Sequence, residues 1–220
     1  MIHWLWHLLL GSYCVLCREP VNGAQAGRQL CQYCLASLPW LEDPESAELS
    51  GIQRTFAPLA YTGAPRRWVL EAKQEGGLIA AKTLGVLLAE ALAEAYPFSG
   101  ERPDFLIPVP LSSRRLRSRG HNQAILIGAQ VARLLRISLR RHATRRARHT
   151  AMLADMDPVA RRAETAGVFR ARRLPAGCRV AIIDDVVTTG ATAAELAKAL
   201  RRAGASEIHL WAATSATHLD

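Results

Sequence analysis

The segment from Val180 to Thr192 constrains the fold of this 220-residue chain more than any other part of its sequence. It reads Val-Ala-Ile-Ile-Asp-Asp-Val-Val-Thr-Thr-Gly-Ala-Thr, so that four apolar residues are followed by two carboxylates and then by small polar residues. The short apolar run predicts a buried strand, and the apolar spacing within residues 193–200 predicts a helix after the loop. The segment therefore predicts a strand, a loop and a helix of an α/β fold.

The loop of this segment has the chemistry of an anion site. Its backbone N–H groups and the threonine hydroxyls of residues 188–192 lie at the start of the predicted helix, where the helix dipole is positive. Gly190 lets the backbone approach a phosphate closely. Asp184 and Asp185 would repel that phosphate, so they suit vicinal hydroxyls or a hydrated Mg²⁺. Phosphate at one end and a diol at the other describe ribose 5-phosphate; the alternative is a turn with ordinary polar caps.

Four of the five cysteines form two close pairs, Cys14/Cys17 and Cys31/Cys34, with thirteen residues between the pairs. This spacing can place four thiolates tetrahedrally around Zn²⁺. A redox dithiol is the alternative, but two pairs favour a closed structural site. So small a segment has little core of its own, so the metal would stabilise it directly. Cys178 has no partner nearby in sequence, and we expect a buried or edge thiol there.

An acidic, proline-containing stretch that starts at Glu42 predicts a linker within residues 42–55. The predicted domains are residues 1–50, with the cysteine module, and residues 51–220. The first ten residues are apolar, but they are too short to span a bilayer and lack the features of a signal peptide. We expect a short helix packed on the cysteine module there, with membrane-surface contact through Trp4 and Trp6 as the alternative. We predict no transmembrane segment and a cytoplasmic protein.

Strand-like and helix-like segments alternate after this boundary. Strands are predicted at residues 55–61, 104–110, 179–184 and 207–212, and helices at residues 79–95, 124–135 and from 193 to a stop at Gly204. Residues 140–157 are basic and aperiodic, which predicts a mobile loop. The alternation indicates βαβ units, hence a mostly parallel sheet with helices on both faces and ligands at the carboxyl ends of its strands.

The formal net charge of +9 comes mostly from arginine and favours phosphorylated metabolites, nucleic acid or acidic lipid as partners. One arginine run, from Arg114 to Arg119, follows a predicted strand end and could clamp pyrophosphate, since the guanidinium fork suits phosphate. A solvated basic loop is the alternative. Lys73, one of three lysines, is interpreted as a surface residue.

A second arginine run, from Arg140 to Arg148, allows three interpretations: a substrate lid, a contact to single-stranded DNA, or a solvated loop. Channels for nucleic acid usually interleave aromatic residues with the charge. This run contains none, so it does not favour DNA on its own.

The segment at residues 180–192 resembles the phosphoribosyl diphosphate (PRPP) signature of type I phosphoribosyltransferases. Together with the cysteine pairs, Pro-Val-Pro-Leu-Ser at 108–112 and Arg-Gly-His-Asn-Gln-Ala at 119–124, it makes the chain resemble the ComF family. In that family a cysteine zinc module is joined to a phosphoribosyltransferase-like domain. The resemblance runs from Cys14 to about Ala212, implies the type I phosphoribosyltransferase fold, and points to natural transformation, the handling of imported single-stranded DNA.

The resemblance also implies roles for individual residues. The catalytic pair that holds the ribose hydroxyls would be Asp184 and Asp185. The PRPP phosphate would be wrapped by Val187, Thr188, Thr189, Gly190, Ala191 and Thr192. Pyrophosphate would be bound by Leu111, Ser112, Ser113, Arg114, Arg115 and Arg119. The zinc ligands would be Cys14, Cys17, Cys31 and Cys34, and Mg²⁺ would enter with PRPP. Residues 140–169 would form a flexible loop over the site.

Two hypotheses stay open at this stage. An enzyme would bind PRPP with Mg²⁺, release pyrophosphate and transfer the ribosyl group to a nucleophile. The alternative is a catalytically inactive protein that senses PRPP or binds single-stranded DNA or a DNA-processing protein. Leu153 and Glu164 stand where the family often has Gln and Asn, which puts turnover in question. The sequence sets neither the acceptor substrate nor the oligomeric state.

Overall fold

The computed structural model describes residues 12–46, 49–147 and 167–217. Three predictions lie outside the described residues: the N-terminal helix with Trp4 and Trp6, the loop positions Leu153 and Glu164, and the end of the second arginine run at Arg148.

The described chain alternates strands and helices along most of its length. In chain order the strands are β1 (Ser12–Tyr13), β2 (Pro20–Val21), β3 (Glu45–Ser46), β4 (Arg54–Phe56), β5 (Leu59–Ala60), β6 (Phe105–Pro108), β7 (Ser138–Leu139), β8 (Thr144–Arg146), β9 (Phe169–Ala171), β10 (Cys178–Val187) and β11 (Ala205–Ser215). The α-helices are α1 (Ala24–Arg28), α2 (Gln32–Ala36), α3 (Gly63–Glu71), α4 (Leu78–Ala95), α5 (Ser113–Arg119), α6 (Gln123–Leu135) and α7 (Ala191–Arg202), with a 3₁₀ turn at Ser99–Glu101.

A mostly parallel sheet forms the centre, in the order β3-β4-β11-β10-β6-β7, with β5 also paired to β11. All of its pairings are parallel except that of β3 with β4, which is antiparallel. The two longest strands, β10 and β11, lie side by side in the middle. This confirms the predicted α/β architecture with a mostly parallel central sheet.

Helices cover both faces of the sheet, and the side chains of β10 show why its sequence is continuously apolar. Ala181 and Ile183 lie in the core cluster that contains residues of α4 and α6. Val180 and Ile182 lie in the second cluster, which contains residues of α7. Successive side chains of a strand point to opposite faces, so a strand buried on both sides needs an apolar residue at every position.

The cysteine module packs directly on this α/β unit. Its buried residues Leu30 and Leu38 belong to the same core cluster as Leu84 and Leu88 of α4. Arg28 of α1 forms an ion pair with Glu90 of α4, with Nη2 and Oε1 3.2 Å apart. The predicted linker contributes β3 to the main sheet. The boundary near residue 50 stays a prediction, but the two parts share one core.

Three local predictions were wrong or incomplete. Helix α3 was not predicted. The arginine run that could have been a basic loop is helical, since Ser113–Arg119 forms α5. The mobile loop predicted over residues 140–157 is wrong for Thr144–Arg146, which pair antiparallel with Phe169–Ala171. Each strand of this hairpin is short and basic, and its partner is distant in sequence, so local periodicity carried no signal. Cys178 is buried, as expected.

Within the part of the chain that the structure describes, no helix has both the length and the apolar character needed to cross a bilayer.

Candidate functional site

A cavity of about 230 Å³ opens at the carboxyl end of β10. It is lined by Asp184, by Leu210 and by every residue from 186 to 193. The structure therefore brings together around one space all the residues predicted to wrap a phosphate, from Val187 to Thr192, and the first carboxylate of the acidic pair. The space lies where ligands bind in parallel sheets.

The loop between β10 and α7 depends on glycine. Gly190 is the residue before α7 and has φ 67°, a left-handed conformation that other residues adopt at a cost. A Cβ atom at this position would also overlap the side chain of Leu49. The first N–H groups of α7 have no partner within the helix, and its first turn carries no acidic residue. The start of α7 therefore offers uncompensated amide donors and a positive dipole end beside the cavity.

The two carboxylates face different partners. Asp184 is partly buried and lines the cavity. Asp185 is buried, and its Oδ2 lies 2.8 Å from Nζ of Lys73. The backbone N–H of Asp185 donates to Oδ1 of Asp184 at 2.9 Å, which fixes one carboxylate relative to the other. The Thr214 hydroxyl on β11 donates to the Asp185 carbonyl at 3.0 Å.

The pKa values of the pair are displaced in opposite directions. Burial raises the pKa of Asp184 well above its usual range, and the adjacent charge of Asp185 adds to the rise. Burial also opposes ionisation of Asp185, but the Lys73 ammonium outweighs it, so that the pKa of Asp185 is lowered. Ionisation is therefore easier at Asp185 than at Asp184, and a cation or a hydrogen-bond donor in the cavity would favour the ionised form of Asp184.

Lys73 is not the plain surface residue that the sequence suggested. It lies in the turn after α3, its side chain is 28% exposed, and it reaches the end of β10 to pair with Asp185. In the sequence, only the position of Lys73 after the first helix of the domain could have indicated its pairing with Asp185. The preceding carbonyl, that of Ala72, lies 2.8 Å from Nε2 of His121, and Nδ1 of His121 lies 3.0 Å from the carbonyl of Arg119. His121 thereby joins the Lys73 turn to the end of α5.

The residues predicted to bind pyrophosphate divide between a loop and α5. Leu111 and Ser112 precede the helix, and the Ser112 hydroxyl caps it by accepting from the N–H of Arg115. The helix itself carries Ser113, Arg114 and Arg115 and ends at Arg119.

Within α5, Arg119 interacts electrostatically with Asp185 of the acidic pair. Its guanidinium donates to Oε1 of Gln123 at 3.4 Å. Burial lowers the pKa of Arg119, the charge of Arg115 lowers it further, and the charge of Asp185 opposes both. Arg114 and Arg117 are exposed. Asn122 fixes the turn that follows, because its Nδ2 donates to the Val109 carbonyl at 3.0 Å.

The four paired cysteines form one cluster. The sulfur atoms of Cys14, Cys17, Cys31 and Cys34 all lie within 4.8 Å of one another. Those of Cys17 and Cys31 are 3.6 Å apart. Four thiolates at the usual Zn–S length of about 2.3 Å from one ion are about 3.8 Å apart, so the cluster fits a tetrahedral structural zinc site.

The pKa values of these thiols also favour a cation among the four sulfur atoms. Although burial opposes ionisation, backbone N–H groups of Cys17, Cys31 and Leu16 lower the pKa of Cys14 to about 6. Burial and the neighbouring sulfurs raise the pKa of Cys34 to about 12. Sulfurs this close cannot all be anionic without a divalent ion, which would deprotonate them together.

Comparison with known proteins shows that the chain is similar, over half or more of its length, to competence and DNA utilization proteins. DNA utilization protein YhgH of Escherichia coli (strain K12) is 35% identical over 133 residues, 60% of this chain and 59% of the relative. DNA utilization protein YhgH of Salmonella typhimurium is 35% identical over the same shares. Competence protein F of Haemophilus influenzae is 37% identical over 113 residues, 50% of this chain and 49% of the relative.

These relatives confirm the resemblance that the sequence indicated, and the chain is homologous to them. The chain spans between about half and three fifths of the length of the curated relatives it matches. No family model matches it.

The opposite pKa displacements predict opposite effects of two similar substitutions. Asp184→Asn removes a carboxylate whose pKa is raised on folding. Such a group favours the folded state below its unfolded pKa of about 3.9, and that contribution is lost as the pH rises through the folded value. Asp184→Asn should therefore raise the thermal midpoint by a few degrees at pH 7, and by less at pH 4.

Asp185→Asn should instead lower the thermal midpoint at pH 7. The lowered pKa of Asp185 stabilises the fold above about pH 3.9 and is lost below it. The substitution also leaves Lys73 without its partner, so we expect a loss of about 1–3 kcal/mol at neutral pH. Thermal unfolding of both variants between pH 4 and pH 8 tests this. Equal destabilisation by both would contradict the assignment of charge within the pair.

The cysteine cluster predicts one zinc ion per chain. Cys34→Ser should abolish stoichiometric zinc and lower the thermal midpoint by roughly 5 °C or more, because the ion would join the two cysteine pairs of the module. Cys178→Ser serves as the control, since it changes a buried thiol outside the cluster. Elemental analysis of both purified variants provides the measurement. Zinc retained in the Cys34 variant, or lost equally in both, would refute the site.

Proposed function

We propose that this homologue of competence and DNA utilization proteins binds the ribose 5-phosphate part of PRPP in the cavity at the end of β10. The observation that carries the proposal is the lining of that cavity, which joins the start of α7 to Asp184. The phosphate would accept hydrogen bonds from the N–H groups and threonine hydroxyls of residues 188–192. Gly190 keeps the backbone close to it.

The acidic pair would hold the other end of the ligand. The ribose hydroxyls would donate to carboxylate oxygens of Asp184 and Asp185, which follow one another near the strand end, and the backbone N–H of Asp185 orients the Asp184 carboxylate by a 2.9 Å hydrogen bond. Mg²⁺ prefers oxygen ligands and keeps several waters, so it would enter bound to the diphosphate, next to this pair. Magnesium would supply charge neutralisation of the diphosphate there.

The reaction we propose is ribosyl transfer. The bond between ribose C1 and a pyrophosphate oxygen breaks with both electrons leaving on the pyrophosphate, and a bond from a nucleophile to C1 forms. Arg119 and Arg115 lie on the α5 side of the acidic pair and would stabilise the leaving group. Asp185, kept ionised by Lys73, would stabilise the positive character that develops on the ribose ring.

A second candidate is a protein that binds PRPP without turnover. The size of the cavity favours it, because about 230 Å³ is below the usual range for sites that enclose a whole small ligand. A cavity of that size suits the phosphate end and leaves the acceptor to be provided elsewhere. In either form we propose a role in DNA uptake or DNA handling, from the names that the relatives carry.

Ligand analogues test the two ends of the proposed site. Ribose 5-phosphate should bind at least about tenfold more tightly than 2-deoxyribose 5-phosphate, because an unpaired buried carboxylate oxygen costs 1–3 kcal/mol. Arg119→Gln should weaken PRPP at least about tenfold and change ribose 5-phosphate binding by less than about threefold, since the arginine would contact only the diphosphate.

Arg117→Gln is the matched control on the same helix, because Arg117 is exposed and should leave both affinities unchanged. Calorimetric titration of each ligand gives the affinities. Equal affinity for the ribose and deoxyribose compounds would argue against a diol site at the acidic pair. Release of pyrophosphate from PRPP by wild type with added nucleobases or amines distinguishes the enzyme from the sensor.

A further inference from the structure

The outer face of the β8–β9 hairpin concentrates positive charge. Arg145 and Arg170 lie directly opposite each other in the antiparallel pair, and both are exposed. Like charges in this position destabilise a strand pair. The described stretches of the hairpin, 140–147 and 167–174, contain no aspartate or glutamate. Their arginines are Arg140, Arg141, Arg145, Arg146, Arg170, Arg172 and Arg173.

The hairpin is held in place by its inner face. Phe169 is 2% exposed and lies in the core cluster with residues of α7. The guanidinium of Arg146 lies over the Phe169 ring, 5.6 Å from its centroid. Backbone hydrogen bonds continue the pairing at both ends, from Ala147 N to Val168 O at 2.7 Å and from Arg172 N to Ala143 O at 2.8 Å. The outer arginines are therefore presented on a packed scaffold.

A recess adjoins this face. A cavity of about 450 Å³ lies between β9 and the end of α7, lined by Arg170 and Arg202 and otherwise by glycine, alanines and Phe169. The Glu195 carboxylate, which contacts Gly167 of this lining, is engaged, because it accepts from the Gly167 N–H at 3.1 Å and pairs with Lys198. Two guanidinium groups at the edge of an apolar recess suit a phosphate diester and its sugar.

We propose that this face, comprising Arg145, Arg170, Arg172, Arg173 and Arg202 and named here the hairpin face, binds the sugar–phosphate backbone of single-stranded DNA. The proposal rests on the DNA-handling role proposed above and adds the surface that would serve it. Backbone hydrogen bonds continue the strand pairing to Arg172, so Arg170 and Arg172 lie on one face, about 7 Å apart, with Arg145 opposite Arg170. The next residue, Arg173, is also exposed. A chain of phosphates matches such a row.

The same geometry indicates contact with the backbone and not with bases. Phe169 is buried, and Phe105 lies beneath the guanidinium of Arg140, 4.4 Å from ring centroid to Cζ. Neither ring is free to stack on a base, which is how single-strand channels usually hold bases. Binding at the hairpin face should therefore be independent of sequence and strongly dependent on salt.

The test compares two variants that each lose four positive charges. The hairpin variant carries Arg170→Gln, Arg172→Gln, Arg173→Gln and Arg202→Gln. The control variant carries Arg66→Gln, Arg67→Gln, Arg133→Gln and Arg136→Gln, all exposed arginines of α3 and α6 or the residue after α6. Arg133 matches Arg202, since both lie in the last turn of a helix. Fluorescence anisotropy of labelled oligothymidylate is measured with zinc-loaded full-length protein over a range of salt concentrations.

The hairpin variant should bind the strand at least about tenfold more weakly than wild type at low salt. Its slope of log affinity against log salt should fall by about 0.7 for each phosphate contact removed, or roughly 2–3 in all. The control variant should stay within about threefold of wild type. An oligonucleotide of abasic residues should compete nearly as well as oligothymidylate. Thermal unfolding shows that each variant is folded.

Equal losses in the two variants would overturn the proposal, because net charge alone would then explain the binding. Unchanged affinity in the hairpin variant, failure of the abasic strand to compete, or preference for anionic phospholipid vesicles over the strand would also overturn it. If wild type binds no single-stranded DNA at low salt, the proposed DNA-handling role is refuted. PRPP titration of the hairpin variant tests the PRPP site independently, so a failure of that site is distinguishable from a failure of the hairpin face.

Discussion

The ion pair between Lys73 and Asp185 sets the character of the whole carboxyl edge of the sheet. β10 is buried on both faces by apolar side chains, yet it carries two adjacent carboxylates near its carboxyl end, and two negative charges side by side in so buried a strand are strongly unfavourable. The Lys73 ammonium, 2.8 Å from Asp185, stabilises the charge on that residue and lowers its pKa, whereas the pKa of Asp184 is raised. The edge therefore suits the proposed ligand, which would supply donors or a cation to Asp184.

Polar contacts between side chains and backbone carbonyls connect the surrounding elements to that edge. His121 lies between the carbonyls of Ala72 and Arg119, so the turn that carries Lys73 and the helix that carries the arginines are fixed to each other. Asn122 attaches the next helix to the loop after β6. The acidic pair and the proposed pyrophosphate helix thus belong to one connected network. We expect a substitution in one of them to alter the position of the other.

Much of the fold and of the candidate site could be predicted from the sequence, because the central strands and helices have distinctive local residue patterns. The apolar run of β10, the helical spacing in α4, α6 and α7, and the cysteine spacing all depend on residues close together in the chain. Lys73 and the hairpin could not be predicted in this way. The pairing of Lys73 with Asp185, and of Arg145 with Arg170, joins residues distant in sequence, and short basic strands have no distinctive periodicity. Charge composition indicated an anionic partner but could not place the surface.

The central claim is that the edge formed by Asp184, Asp185 and the start of α7 is a PRPP site. Isothermal titration of PRPP with Mg²⁺ into the zinc-loaded protein tests it most directly, with the Asp184→Ala/Asp185→Ala double variant as the comparison. Wild type should bind PRPP saturably, and the variant at least about a hundredfold more weakly, equivalent to about 2.7 kcal/mol. Absence of binding by folded wild type, or equal binding by both proteins, would contradict it.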